Sequence, residues 1–215
     1  MLVRDCMTRN VITVKPVTPS CDALSLMKER CIRRLPVLQG KQLVGIVTWT
    51  DLMRASPASV RGLPTKEAAA LAGTAVMDVM TPDPLTVAED TTLEEAAVLM
   101  RDHKVGGLPV VEDGTLSGIL TESDLFEAFI KVLGLRSGGA RLTIRQANGT
   151  DVLEAIVSTI HDCEAGILSM CTYERQGIKW IVVRVDAPFP LHVVQTLVER
   201  GIDVTHLALL PKSGA

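Results

Sequence analysis

The chain repeats itself. Residues 3–55 align with residues 76–128 at a constant offset of 73 positions without a gap, and 20 of the 53 pairs are identical, where unrelated segments would share about three or four. Asp5-Cys6-Met7-Thr8 matches Asp78-Val79-Met80-Thr81, and Thr13-Val14 matches Thr86-Val87. Leu35-Pro36-Val37 matches Leu108-Pro109-Val110, Gly45-Ile46-Val47-Thr48 matches Gly118-Ile119-Leu120-Thr121, and Asp51-Leu52 matches Asp124-Leu125. Two copies of one supersecondary unit follow. A unit this short cannot cover both faces of its own sheet, so the two copies are expected to cover each other.

Local chemistry orders the elements within each copy. An extended stretch at Ile12 to Val14 (Leu85 to Val87) precedes a helix, announced by Thr18-Pro19 in the first copy and by the capping box Thr91-x-x-Glu94 in the second. Ala23, Leu26 and Met27 (Ala96, Leu99 and Met100) recur at helical spacing and define its buried face. A hairpin comes next, with Leu35 to Leu38 and Leu43 to Val47 around Gln39-Gly40-Lys41-Gln42. Its counterpart has Leu108 to Val111 and Leu116 to Leu120 around Glu112-Asp113-Gly114-Thr115. A second helix opens at Thr48 or Thr50 (Thr121 or Ser123), with Asp51 or Asp124 in its first turn. The copies are expected over 1–56 and 76–136. Between them 57–75 reads as an ordered linker, with Pro57, Gly62, Pro64 and Gly73 around the helix-prone Lys66 to Leu71.

The last third has a different pattern. Phe126 to Leu133 extends the second helix, and Gly134-Leu135-Arg136-Ser137-Gly138-Gly139 ends it. Over 140–211 the order is a strand at Arg141 to Arg145 and a helix striped by Val152, Ile156, Val157 and Ile160. Strands at Ile167 to Tyr173 and Lys179 to Val185 then flank a turn at Gln176-Gly177. A helix with Leu191, Val194, Leu197 and Val198 follows, stopped by Gly201, and Asp203 to Leu209 is a last strand. The β-α-β-β-α-β order is the ferredoxin-like split unit. The fold class is therefore α+β: two β-α-β-β-α units followed by a ferredoxin-like domain.

Composition narrows the chemistry. With 22 Lys and Arg against 25 Asp and Glu, and a net charge of −3 without like-charge runs, the chain offers little attraction to nucleic acid or an anionic membrane. An aromatic content of 3% removes the stacking platforms that single-strand binders use. No apolar stretch reaches the roughly 18 residues a spanning helix needs, and MLVRDCMTRN lacks a signal-peptide core. Cys6, Cys21, Cys31, Cys163 and Cys171 are an odd number with no C-x-x-C pair, which fits reduced thiols in the cytoplasm. His103, His161, His192 and His206 show no metal-ligand spacing. No nucleophile with a paired base and no G-x-x-x-x-G-K-[ST] loop stands out, so neither an enzyme nor a metal site is expected.

The doubled pattern D-x-M-T, T-V, L-P-V and G-I-x-T-x-x-D-L, spanning residues 1 to about 133, resembles a tandem pair of cystathionine-β-synthase (CBS) domains. The resemblance implies units packed through their sheets around two clefts, association into a disc-like homodimer, and a regulatory role. It also implies that the clefts hold an adenosine compound, such as AMP, ADP, ATP or S-adenosylmethionine, as a regulatory ligand rather than a resident cofactor. The C-terminal third resembles an ACT domain, a family of small-molecule sensors. Where that family has a D-x-P-G-x-L loop, this chain has Asn148-Gly149-Thr150-Asp151-Val152-Leu153. The whole chain resembles the acetoin-utilisation-like CBS/ACT proteins.

The implied ligand can be matched to residues. The carboxylate of Asp51 or Asp124 can accept both ribose hydroxyls, and Thr48 or Thr121 sits at a helix start that favours phosphate. Val14, Pro36, Val37 and Ile46, with Val87, Pro109, Val110 and Ile119, are apolar walls for an adenine, and Thr13 and Thr86 match cleft-lining positions. Thr-x-x-Asp is equally a helix cap, and the two roles are compatible. Arg33-Arg34 in the first copy stands against Gly106-Gly107 in the second. Arg34 can face phosphates or simply end a basic helix in solvent, and Gly107 allows close backbone approach. His103-Lys104 ends the corresponding helix. The alternative function is a structural protein that dimerises with empty clefts.

Overall fold

The computed structural model describes residues 1–55, 74–146 and 152–211. The expected linker helix and the segment Asn148-Gly149-Thr150-Asp151 lie outside the described residues. The chain forms two compact units, Met1–Leu125 and Phe126–Ala215.

The first unit holds the repeat. In the first copy a one-turn 3-10 helix, Val3–Asp5, leads to α1 (Ser20–Glu29), β1 (Arg34–Gln39), β2 (Gln42–Thr48) and α2 (Trp49–Ala55). In the second copy the 3-10 turn Val76–Asp78 leads to β3 (Thr81–Pro82), α3 (Leu93–Asp102), β4 (Gly107–Glu112), β5 (Thr115–Thr121) and α4 (Glu122–Val132). The aspartate of D-x-M-T fixes each 3-10 turn. Asp5 Oδ2 accepts the Leu2 N–H and Asp78 Oδ2 accepts the Ala75 N–H, both at 2.9 Å. The hairpins keep one register, Pro36 opposite Ile46 and Pro109 opposite Ile119, and share a bulge after Val37 and Val110. Asp113 and Gly114 close the second hairpin with φ of 49° and 74°, the left-handed pair that a two-residue turn requires.

Each copy completes the other's sheet. Thr81 of the second copy pairs with Ile46 of the first, and Thr8 of the first pairs with Ile119 of the second. The ladder continues reciprocally: Val3 N–H donates to the Thr91 carbonyl and Val76 N–H to the Thr18 carbonyl. The repeated glycine and methionine interlock at this crossing. A Cβ on Gly45 would strike Met80 Sδ, and a Cβ on Gly118 would strike Met7 Sδ. Val76 accordingly belongs to the core of the first copy, with Ala23, Met27, Leu35, Val37 and Leu52.

The helix starts differ from expectation by one residue. The capping box is Thr92 with Glu95: Thr92 Oγ1 accepts the Glu95 N–H at 3.2 Å, and Glu95 Oε2 accepts the Thr92 N–H at 3.1 Å. Thr91 is spent on the preceding turn, where its Oγ1 accepts the Ala88 N–H, as Thr18 Oγ1 accepts from Lys15 in the first copy. Pro19 is the residue before α1 and gives it no side-chain cap. The extended stretches at Ile12 to Val14 and Leu85 to Val87 reduce to single parallel bridges, Val14 to Val37 and Val87 to Val110.

The second unit runs β6 (Gly139–Gln146), α5 (Leu153–Asp162), β7 (Gly166–Arg175), β8 (Ile178–Asp186), α6 (Pro190–Glu199) and β9 (Asp203–Leu210). Its sheet order is β7-β8-β6-β9, and every neighbouring pair is antiparallel. Ala140, Leu142, Ile144, Ile181, Val183 and Val185 from the sheet pack against Ile156, Ile160, Val193 and Leu197 from the helices. The helix stripes are narrower than expected: Val157, Leu191 and Val198 are exposed, and Val193 takes the buried place on α6. Residues 193 and 197 are one turn apart, whereas 191 and 198 fall on the flank. Among the described residues no helix is long and apolar enough to cross a membrane.

Candidate functional site: two clefts between the repeats

Two clefts open where the copies cross. The smaller, about 300 Å³, is lined by Thr8, Asn10, Val11, Ile12, Cys31, Ile32, Arg33 and Arg34 of the first copy and Ile119, Thr121 and Ser123 of the second. The larger, about 620 Å³, is lined by Thr81, Asp83, Pro84, Leu85, Lys104, Val105, Gly106 and Gly107 of the second copy and Ile46, Thr48, Thr50 and Asp51 of the first, with Arg33, Arg34 and Trp49. Every residue lining the smaller cleft has its counterpart 73 positions away lining the larger. Each cleft thus joins the T-x-x-D helix start of one copy to the N-terminal segment of the other. Both volumes lie in the range that encloses a nucleotide-sized ligand.

The T-x-x-D motif caps its helix in both copies. Asp51 Oδ2 accepts the Thr48 N–H at 2.9 Å and the Thr48 hydroxyl at 2.7 Å; Asp124 Oδ2 accepts the same groups of Thr121 at 2.8 and 2.7 Å. The cap engages one carboxylate oxygen and leaves Oδ1 outside it, so a carboxylate held rigidly at the cleft can still accept from a ligand. Asp51 borders the larger cleft. Asp124 is not among the residues lining the smaller one, where its partner Thr121 takes the wall.

Arg34 is not the solvated end of a helix. Its side chain is 19% exposed and its Nη2 lies 3.5 Å from Glu122 Oε2. Loss of solvent holds its guanidinium below the usual arginine range, Glu122 pulls the other way, and Arg33 adds repulsion. Gly106 and Gly107 admit this side chain: a Cβ on Gly106 would strike the guanidinium, and one on Gly107 would lie 3.1 Å from Arg34 Cδ. The glycine pair is therefore a bed for an arginine of the other copy. Trp49, at the larger cleft, carries Lys28 Nζ 5.7 Å from its ring centroid.

The structure brings Arg34, Ile46, Thr48, Asp51 and Gly107 together at the larger cleft, and Arg34, Ile119 and Thr121 at the smaller. Others of the expected set lie elsewhere. Val37 and Val110 are fully buried and Pro36 and Pro109 are buried beside them, inside the strands that back the clefts, while Val14 and Val87, bridged to Val37 and Val110, are nearly as buried. Thr13 and Val14 border a separate hollow with Lys15 and Gln39, and Thr86 is exposed outside both clefts. The apolar walls are instead Val11, Ile12 and Ile32, and Pro84, Leu85 and Val105. Repetition of Thr8 and Thr81 in D-x-M-T was a signal for part of this wall, but its use by the opposite copy has no local signature. Lys104 lines the larger cleft, whereas His103 borders a shallow groove with Glu95 and Leu99. Among the described residues no cluster of His, Cys, Asp or Glu could hold a metal ion, and Cys21, Cys31, Cys163 and Cys171 are in no disulfide.

Two like units that trade strands across a pair of like clefts define a tandem-repeat module. The chain belongs to the CBS domain family: the CBS domain model matches residues 3–58 and 76–131, just over half of the 215 residues. It is 37% identical over 140 residues to inosine-5'-monophosphate dehydrogenase of Korarchaeum cryptofilum, covering 65% of this chain and 26% of that enzyme. It is 36% identical over 152 residues to the chloroplastic CBS domain-containing protein CBSX2 of Arabidopsis thaliana, covering 60% of this chain and 64% of that protein. The chain thus spans less than two thirds of the length of these curated relatives. Among solved structures, AcuB of Vibrio cholerae superposes with a TM-score of 0.53 at 34% identity, covering 64% of this chain and 96% of that one. CBSX2 in complex with AMP gives 0.53 at 38% identity, covering 61% and 97%. The CBS domain pair of MJ0100, in complex with 5'-methylthioadenosine and S-adenosyl-L-methionine, gives 0.50 at 26%, covering 60% and 95%.

Proposed function

We propose that this protein is a regulatory sensor that binds an adenosine compound in the clefts of its CBS pair and passes their occupancy to its C-terminal unit or to a partner. The observation that carries the reading is that every residue lining the smaller cleft has its repeat equivalent in the larger, each cleft joining a helix start of one copy to an apolar wall of the other. A flat base fits between Ile46 and Leu85 in the larger cleft, Asp51 Oδ1 accepts from the ribose, and Arg34 and Lys104 supply charge for a phosphate. The CBSX2 complex with AMP and the MJ0100 complex with adenosine derivatives support the ligand class. The role is regulatory rather than catalytic, and the adenosine compound is a signal rather than a resident cofactor.

The C-terminal unit is read as a ferredoxin-like, ACT-like domain, which its element order and its β7-β8-β6-β9 sheet support. Sensing by ligand requires only that the ligand favour one arrangement of the copies over another. Calorimetric titration with AMP, ATP and S-adenosylmethionine tests the reading, repeated on Asp51→Asn and Asp124→Asn, which keep a capping oxygen. Loss of affinity by about tenfold in Asp51→Asn is expected, and undiminished binding in both variants rejects the ribose assignment.

A second reading, a scaffold that acts by dimerising, draws on one observation. Phe126, Phe129 and Val132 on α4 are 68%, 51% and 55% exposed, an apolar surface suited to a second copy. Native mass spectrometry separates the readings: retained nucleotide supports the sensor, and nucleotide-free dimers support the scaffold.

A further inference from the structure

Besides their volumes and the aspartate that lines only the larger, the two clefts differ in their charged wall. Positions 33 and 34 are arginines, while their counterparts 106 and 107 are glycines, so the pair of clefts draws on one arginine set. Arg34 lies across Gly106 and Gly107 and lines both clefts. Arg33 also borders both but is solvent-exposed, where a charge is screened. Around Arg34 the clefts are unequal. The helix start at the larger cleft carries Trp49, and its counterpart is Glu122, whose carboxylate already faces Arg34 at 3.5 Å. The larger cleft adds Lys104 where the smaller has Cys31, and Asp83 in place of Asn10 offsets part of that gain.

We infer that Arg34 is a single phosphate-binding residue shared between the clefts, so that one chain holds one phosphate-bearing adenosine ligand tightly, in the larger cleft, and a second only weakly. The inference rests on the nucleotide reading above. A guanidinium presents its donors in one planar fork, and a fork turned to a phosphate on one side is withdrawn from the other. The smaller cleft then keeps Glu122 nearby without its arginine, which disfavours a second anion there. A neutral adenosine makes no demand on Arg34, so its binding in one cleft leaves the other unchanged. The first phosphate thus weakens the second, with the coupling carried by one side chain rather than by a change of fold.

Calorimetry on the full chain with AMP and with adenosine tests this. The expected result is two AMP sites whose affinities differ at least tenfold more than those of the two adenosine sites, which themselves differ because Asp51 lines the larger cleft and Asp124 does not line the smaller. Arg34→Gln should weaken the tight AMP site about tenfold to a hundredfold and leave adenosine unchanged. Glu122→Gln, at a residue whose side chain is 57% exposed, should tighten the second AMP site several-fold and keeps the test available if Arg34→Gln fails to fold. Two equal AMP sites, equal losses of AMP and adenosine in Arg34→Gln, or an unmoved second site in Glu122→Gln overturns the sharing while the nucleotide reading stands. Binding of neither AMP nor adenosine overturns the nucleotide reading and the sharing with it.

Discussion

The two copies share a fold and part company at their seam. Residues that reach across to the other copy keep their identity: Met7 with Gly118, Met80 with Gly45, and the threonines that extend the neighbouring sheet. Residues that meet near the local two-fold axis diverge, arginines on one side and glycines on the other. Off-axis contacts occur twice, once per copy, so the same residue must serve in both places. Contacts near the axis occur once, and two large side chains cannot occupy one space. At the seam, identity therefore reports interlocking, and the arginine–glycine difference reports where the copies oppose themselves.

Leu35 and Leu108 are fully buried equivalents. Leu35→Ala and Leu108→Ala should each cost about 3 kcal/mol of stability in urea unfolding. A difference above about 1 kcal/mol between them would show that one copy folds with its own core, against the equivalence. Gly45→Val and Gly118→Val drive a side chain into Met80 and Met7, and should cost about 2 kcal/mol each. Combining Gly45→Val with Met80→Ala should recover part of that loss, and strict additivity would deny the interlock. Thr92→Ala removes the cap of α3 at a cost of about 1 kcal/mol, whereas Pro19→Ala at the uncapped α1 should move the unfolding midpoint far less.

The smallest effect concerns Glu95. Hydrogen bonds from the Thr92 side chain and backbone hold its carboxyl below the usual glutamate range. A depressed folded pKa gives stability that is present above the unfolded value and lost as pH falls through the folded one. Wild type should therefore lose its advantage over Glu95→Gln on acidification below about pH 4. Equal acid sensitivity of the two proteins would remove the capping carboxylate from the account.

The repeat made most of the first unit legible, because periodicity and turn chemistry are local. Asp113-Gly114 and Gln176-Gly177 both close hairpins with left-handed φ, as such pairs must. Errors arose where two adjacent residues compete for one role. Thr91 and Thr92 both precede a glutamate by three positions, and the bond Thr91 makes to Ala88 decides between them. Of the residues that motif and charge single out, the structure places Thr48, Asp51, Ile46 and Arg34 at the larger cleft. Val37 and Val110 looked like walls because strand alternation does not say which face is the cleft and which the core. Ile12 and Leu85 follow the segments at Thr8 and Thr81 that cross to the opposite copy, and such a crossing leaves no mark in its own neighbourhood.

Arg34 lying on Gly106 and Gly107 has a consequence for how such a module can be assembled. In a symmetric dimer of identical single units, whatever one subunit presents at the axis its mate presents too, and two arginines would collide over ground that here holds only one. Covalent joining of the halves permits a lopsided seam, and with it two mouths that need not carry the same charge.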